Sequence, residues 1–134
     1  MLVAGLYRTS ATYKVGKWIC LCGKAVVAVI DLLEPTEITT AEIRNCVVTG
    51  DWIFDASEII LEASSDNERF TEVKRQQLVD TNSTHWSDIA VHTLSFDPVT
   101  ARYYRVTVKP TVMPAWHPGK GRKAYLFIDE IALN

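Results

Sequence analysis

The sequence predicts an all-β protein: an antiparallel β-sandwich or jelly roll in a single domain. Three observations carry that expectation. Short segments rich in Val, Ile, Thr, Tyr and Phe recur along the chain with turn chemistry between them. Several alternate apolar and polar residues at period two: Ile59, Leu61 and Ala63; Tyr104, Val106 and Val108; Phe127, Ile131 and Leu133. No stretch sustains the i, i+3, i+4, i+7 stripe of an amphipathic helix over three turns.

The strands are read in order. VVAVIDLL (26–33) stops at EPTE, where Pro removes a backbone donor. ITTAEIRNCVV (38–48) has the spacing of a short helix, but its Thr and Ile residues favour a strand that ends at Gly50-Asp51. SEIILEASS (57–65) turns through DNE into RFTEVKRQQLV (69–79). IAVHTLSF (89–96) stops at Asp97-Pro98, ARYYRVTVK (101–109) at Pro110, and AYLFIDEIAL (124–133) closes the chain. About seven or eight strands with turns at these intervals are the pattern of a sandwich, whose loops gather at two ends and carry binding.

Composition narrows the function. A length of 134 residues makes one domain with a sizeable core. A net charge of −2 offers no global attraction for nucleic acid or an anionic membrane. The longest apolar run, AVVAVI at 25–30, is too short to span a bilayer. MLVAGLYRTS lacks the basic start and long apolar stretch of a signal peptide, which is expected of an intracellular protein or of a piece of a longer exported one. Cys20, Cys22 and Cys46 lack the ligand set of a zinc site and read as small buried hydrophobes, with a bridge from Cys46 left open.

The catalytic motifs fail on spacing. GKGRK lacks the Gly-x-x-x-x-Gly-Lys-Ser/Thr pattern and precedes a strand, where no helix N-terminus is available for phosphate. Asp129 and Glu130 are adjacent in a strand, so they face opposite ways and cannot flank one scissile bond. HWSD (85–88) has no nucleophile elbow, and triad members meet by folding, not by adjacency. His85, His92 and His117 lack metal-ligand spacing; His92 reads as a hydrogen-bonded sheet residue. Glu130, between apolar neighbours, needs a cation: Lys or Arg, or a hard metal such as calcium. The tryptophans, Trp18, Trp52, Trp86 and Trp116, fall in or beside loops. A loop Trp either anchors the loop on the core or presents a flat face to the C–H side of a sugar.

Several of these segments together resemble the discoidin-like, coagulation-factor type C domains. EASSDNERFTEV is similar to their strand-turn-strand, ARYYRVTV to their Ala-Arg-Tyr-Val-Arg strand, VAVIDLLEPTEI to their early strand and turn, and FIDEIAL to their closing strand. The nearest resemblance, over almost the whole chain, is to the C-terminal domain of bacterial chitobiases, β-N-acetylhexosaminidases of glycoside hydrolase family 20. It is carried by CV…GDWIFDA, ARYYRV and above all WHPGKG…FIDEI.

The resemblance implies an eight-stranded jelly roll of the galactose-binding-domain type spanning 1–134, appended to a catalytic barrel and without chemistry of its own. It implies an exported parent, periplasmic, cell-surface or secreted. It implies a glycan partner of the N-acetylglucosamine or galactose type, bound through loop aromatics: Trp52, Trp116 and His117 as contacts and Arg122 as a hydrogen-bond donor. The other implied partner is the parent's catalytic domain, on which the same loop would dock. No cofactor is required; a structural calcium is implied at Glu130, although Ala4-Gly5 stands where an Asp-Gly or Asn-Gly is expected. Leu33 and Asn67 occupy positions where the related domains have Gly, and Asn tolerates the positive φ of such a turn.

Overall fold

The computed structural model describes residues 6–9, 12–15, 19–22, 24–78 and 88–134. Among these, the strands are β1 (Leu6–Thr9), β2 (Thr12–Val15), β3 (Ile19–Cys22), β4 (Val26–Val47), β5 (Ala56–Ser64), β6 (Thr71–Gln77), β7 (Asp88–Pro110) and β8 (Tyr125–Leu133), with one short 3₁₀ turn at Thr49–Asp51. Every strand ladder is antiparallel. The chain is all-β, as its period-two patterning requires.

Two long bent strands build the sandwich. β4 and β7 pair along nearly their whole length, from Val26↔Val108 to Val47↔Asp88. The late half of β7 also pairs with β5, which pairs with β6. The late half of β4 pairs instead with β8, whose far side carries β3 and β2. The long-range β4–β7 pair thus lies at the middle of the strand order, contributes to both halves and turns the corner between them. Side chains from both halves meet in one core: Ala28 and Ile30 with Ile43, Ile59, Leu61, Tyr104, Val106, Leu126, Ile128, Ile131 and Leu133. Interdigitation of two inner faces is how such a sandwich buries apolar surface.

The corner is where the expected strand breaks become bulges. Pairing jumps from Asp31↔Tyr103 to Thr36↔Ala101, and from Ile38↔Val99 to Thr40↔Ser95. The segments around Pro35 and Pro98 bulge out of a continuous ladder, so 26–33 and 38–48 form one strand, as do 89–96 and 101–109. Leu33 sits at the bulge with φ 71°, and its N–H donates to Asp31 Oδ1 at 2.8 Å. Arg102 grips the same carboxylate with two bonds of 2.8 and 2.9 Å, which holds Asp31 below the usual carboxylate range. The buried Tyr104 hydroxyl shares its proton between the carbonyls of Thr36 (2.9 Å) and Val99 (3.0 Å), tying both bulges together.

A third bulge lies in β8. Arg44 pairs with Glu130 and Asn45 with Ile128, leaving Asp129 as the extra residue. The bulge shifts the alternation by one: Leu126 and Ile128 face the core before it, Ile131 and Leu133 after it. Phe127, expected on the same face as Ile131, is therefore only partly buried and lies on the other side. At the β5–β6 turn, Asn67 takes φ 60°, and Ser64 and Asp66 satisfy the amides of residues 66–69.

Cys20 and Cys46 both stand in register with Phe127, on opposite sides of β8. Two strand spacings separate their backbones by about 10 Å, beyond disulfide reach. Cys46 is a free thiol. No helix among the described residues is long and apolar enough to cross a membrane.

Candidate binding site

The loop after β4 is short and closed. Val48 and Ile53 exchange two backbone hydrogen bonds (3.0 and 3.1 Å) around the 3₁₀ turn. Trp52 ends that turn in the left-handed region, φ 67°, with its N–H donating to the Thr49 carbonyl at 3.1 Å. Two further bonds stitch the loop to the start of β8: Tyr125 N–H to the Trp52 carbonyl (2.9 Å) and Phe54 N–H to the Tyr125 carbonyl (3.3 Å).

Beside it runs the segment from Thr111 to Ala124. Its base is a short ladder: Ala124 N–H to the Thr111 carbonyl and Met113 N–H to the Arg122 carbonyl, both 2.8 Å. Its tip is three overlapping turns, closed by bonds of 3.0 Å from His117 to Pro114, from Lys120 to His117 and from Arg122 to Gly119. Met113 and Ala124 fold inward onto Phe54, with Trp52 packed against them, as a small core separate from the main one. Gly119 is part of that packing. A Cβ there would lie 2.5 Å from Met113 Cε and 3.1 Å from the Trp52 ring, so only glycine fits without displacement. Gly121 is needed for another reason, its φ of 82°.

His117 joins the two loops. It is 5 % exposed, and both ring nitrogens are used. Nε2 lies 2.8 Å from the Thr49 carbonyl, and Nδ1 lies 3.0 Å from the Gly119 N–H. A carbonyl only accepts and an amide N–H only donates, so the proton sits on Nε2 and the lone pair on Nδ1. Its ring is edge-on to Trp52 (5.6 Å), Phe54 (5.1 Å) and Trp116 (5.7 Å). Phe54 also lies 6.1 Å from Trp116. Trp116 is 50 % exposed on this support.

The fold therefore brings Trp52, Trp116 and His117 together, but in different roles. Trp116 offers an open face. Trp52 is half-buried and props the loop. His117, expected as a contact, is corrected to a buried strut with no ring nitrogen left for a ligand. Arg122 is exposed at the end of the tip, free to donate. Phe54 and Gly119 were not anticipated; the apolar run WIF and the pair of glycines around Lys120 were the available signals. Trp18, His85 and Trp86 lie outside the described residues.

A polar cluster anchors the other end of the first loop. Asp55 accepts from Asn45 Nδ2 (2.8 Å), from the Ala56 N–H (2.8 Å) and from His92 Nε2 (2.7 Å). Burial pushes the Asp55 carboxyl up, but the bonds from His92 and Asn45, the His92 charge and the Ala56 amide outweigh it and hold it low. His92 is thus the hydrogen-bonded sheet residue expected. Glu130 lies 3.8 Å from the Arg44 guanidinium, the cation partner that the sequence made the simpler alternative. Among the described residues no three His, Cys, Asp or Glu side chains converge as a metal site. One carboxylate beside a guanidinium does not by itself fit a dication. Ala4-Gly5, the other half of the implied calcium site, lies outside the described residues.

Neither a protein-family profile nor any curated protein sequence matches the chain. Solved structures do. The carbohydrate-binding module CBM32-3 of a family 31 glycoside hydrolase from Clostridium perfringens superposes with a TM-score of 0.55 at 18 % identity, over 92 % of this chain and 74 % of that one. The two share an all-β jelly-roll architecture. The CBM32 of AlyQ, solved with 4,5-unsaturated mannuronic acid, gives 0.55 at 16 % identity over 97 % and 98 % of the two chains. A rhamnosidase from Novosphingobium sp. PP1Y gives 0.53 at 22 % identity over 84 % of this chain, which spans only 8 % of the rhamnosidase. At these identities the likeness to CBM32 modules is one of architecture: the all-β jelly roll read from the sequence.

Proposed function

We propose that this chain is a non-catalytic accessory module that binds carbohydrate at the Trp116 loop. The carrying observation is the half-exposed indole of Trp116, held from beneath by His117 and Phe54. A large aromatic fixed with one face toward water suits the apolar C–H face of a sugar ring, and it costs no ordering on binding. Arg122, exposed at the same tip, supplies a donor for ring hydroxyls. The CBM32-3 module that shares the architecture comes from a family 31 glycoside hydrolase, which supports the accessory role. The parent is a β-N-acetylhexosaminidase of the chitobiase type, exported from the cytoplasm; this finer reading rests on WHPGKG…FIDEI. Its glycan is of the N-acetylglucosamine or galactose type. Calcium at Glu130 belongs to the same proposal and depends on ligands from the loop around Ala4-Gly5.

The test is a glycan array followed by calorimetry on the hits, comparing the native chain with Trp116→Ala. Saturable binding lost in the variant supports the module. A second reading, docking on the parent's catalytic domain, draws on the same exposed Trp116 and on Val112, 54 % exposed in the adjoining ladder. It predicts no glycan hit, and release of the parent's catalytic domain by Trp116→Ala.

A further inference from the structure

The loop that carries Trp116 is charged out of proportion to the chain. The protein as a whole has a net charge of −2, yet no Asp or Glu occurs anywhere from 98 to 128. Six cations fall in that span: Arg102, Arg105, Lys109, Lys120, Arg122 and Lys123. The first three belong to β7 and are matched across the sheet. Arg102 binds Asp31, Arg105 binds Glu62 with two bonds of 2.9 and 2.8 Å, and Lys109 lies 3.8 Å from Glu58. The last three belong to the Trp116 loop; all are exposed, and none has an ion-pair partner among the described residues. On the loop packed against them the acidic residues are Asp51, exposed in the 3₁₀ turn, and Asp55, engaged with His92. Locally, three free cations face one free carboxylate.

The turns of the tip keep Lys120 and Arg122 on the same short segment as Trp116. The turns closed by His117–Pro114, Lys120–His117 and Arg122–Gly119 bonds hold their ends within about 7 Å of each other. Lys120 and Arg122 thus stand on the same compact tip as Trp116, four and six residues from it in sequence. Arg122 adds a planar fork that matches a carboxylate with two parallel bonds.

We infer that the site takes an anionic glycan: a sugar bearing a carboxylate, stacked on Trp116 and paired by Lys120 and Arg122. The inference rests on the reading of Trp116 as a sugar platform, and it replaces the neutral N-acetylglucosamine or galactose ligand that the resemblance implies with an acidic sugar. A neutral sugar would satisfy the indole but leave the cations in water.

The experiment titrates short galacturonate, glucuronate and mannuronate oligosaccharides, each against its own methyl ester, with N-acetylglucosamine and galactose oligosaccharides alongside. The ester keeps the ring and removes the charge. At least one acid is expected to bind about five- to tenfold tighter than its ester at low salt, with the advantage shrinking as salt rises. The double substitution Lys120→Gln, Arg122→Gln should erase that advantage, bringing each acid and its ester to equal affinity, with near-UV circular dichroism unchanged. If every ester or neutral sugar binds as well as the acids and Trp116→Ala abolishes all of it, the platform stands and the anionic assignment falls. An acid preference that survives the double substitution also overturns the assignment. If no sugar binds, the platform reading falls and the inference goes with it.

Discussion

His117 donates from Nε2 to the carbonyl of Thr49 at 2.8 Å, joining two loops that lie 68 residues apart in sequence. That bond makes the histidine a strut for the exposed Trp116 and not a ligand contact. His117→Ala leaves the Gly119 amide without its acceptor, removes one of the two bonds to the Thr49 carbonyl (the Trp52 N–H keeps the other) and opens a gap among three aromatic rings. A loss of about 2–3 kcal/mol is expected in denaturant unfolding. His117→Gln, whose amide can still donate to Thr49, should recover part of it. Sugar binding should weaken in His117→Ala although no ligand contact is removed.

Gly119→Ala tests the packing under the loop. The added methyl would lie 2.5 Å from Met113 Cε and 2.7 Å from its sulfur, both in a buried side chain, and 3.1 Å from the Trp52 ring. The Met end can shift, but the Trp behind it is fixed by its left-handed turn. The expected cost is about 1–3 kcal/mol, with a shifted Trp emission maximum in the folded state.

Asp55 gives the stability a pH dependence of known sign. Its carboxyl is held below the usual range in the folded protein, so near pH 4 the unfolded chain binds more protons than the native one. Stability from this group is fully present above about pH 5 and is lost as pH falls through the folded value. Thermal midpoints of the native chain should drop more steeply below about pH 4 than those of Asp55→Asn, which starts lower and lacks this slope.

Leu33 carries a backbone conformation better suited to glycine. With φ 71° and 78 % of its surface exposed, it bears the left-handed cost without burying much in return. Leu33→Gly should relieve that cost against a smaller loss of chain entropy, and raise stability by about 0.5–1 kcal/mol. An unchanged or lower thermal midpoint would count against strain at this bulge.

The sheet was legible in the sequence because its cores alternate: Tyr104, Val106 and Val108 read as one face and are one face. The errors arise where a local signal meets a long-range ladder. EPTE and Asp97-Pro98 carry the chemistry of turns, and the ladder passes through them as bulges. Phe127 was placed on the wrong face because one extra residue, Asp129, reverses the alternation midway along β8. The short strands β1, β2 and β3 gave no pattern long enough to read. At the site, the loop that carries Trp116 was legible from its composition. That His117 points inward was not, because its partner, Thr49, is supplied by a distant segment of the chain.

The central claim is that the water-facing indole of Trp116 is where this module meets a sugar. The direct measurement is the set of tryptophan indole N–H resonances during glycan titration, assigned by single substitution of each Trp. The account predicts that the Trp116 signal moves first and furthest and saturates, while Trp52 shifts little. A ligand that binds while the Trp116 signal stays still, or millimolar glycan that moves none of them, would contradict it.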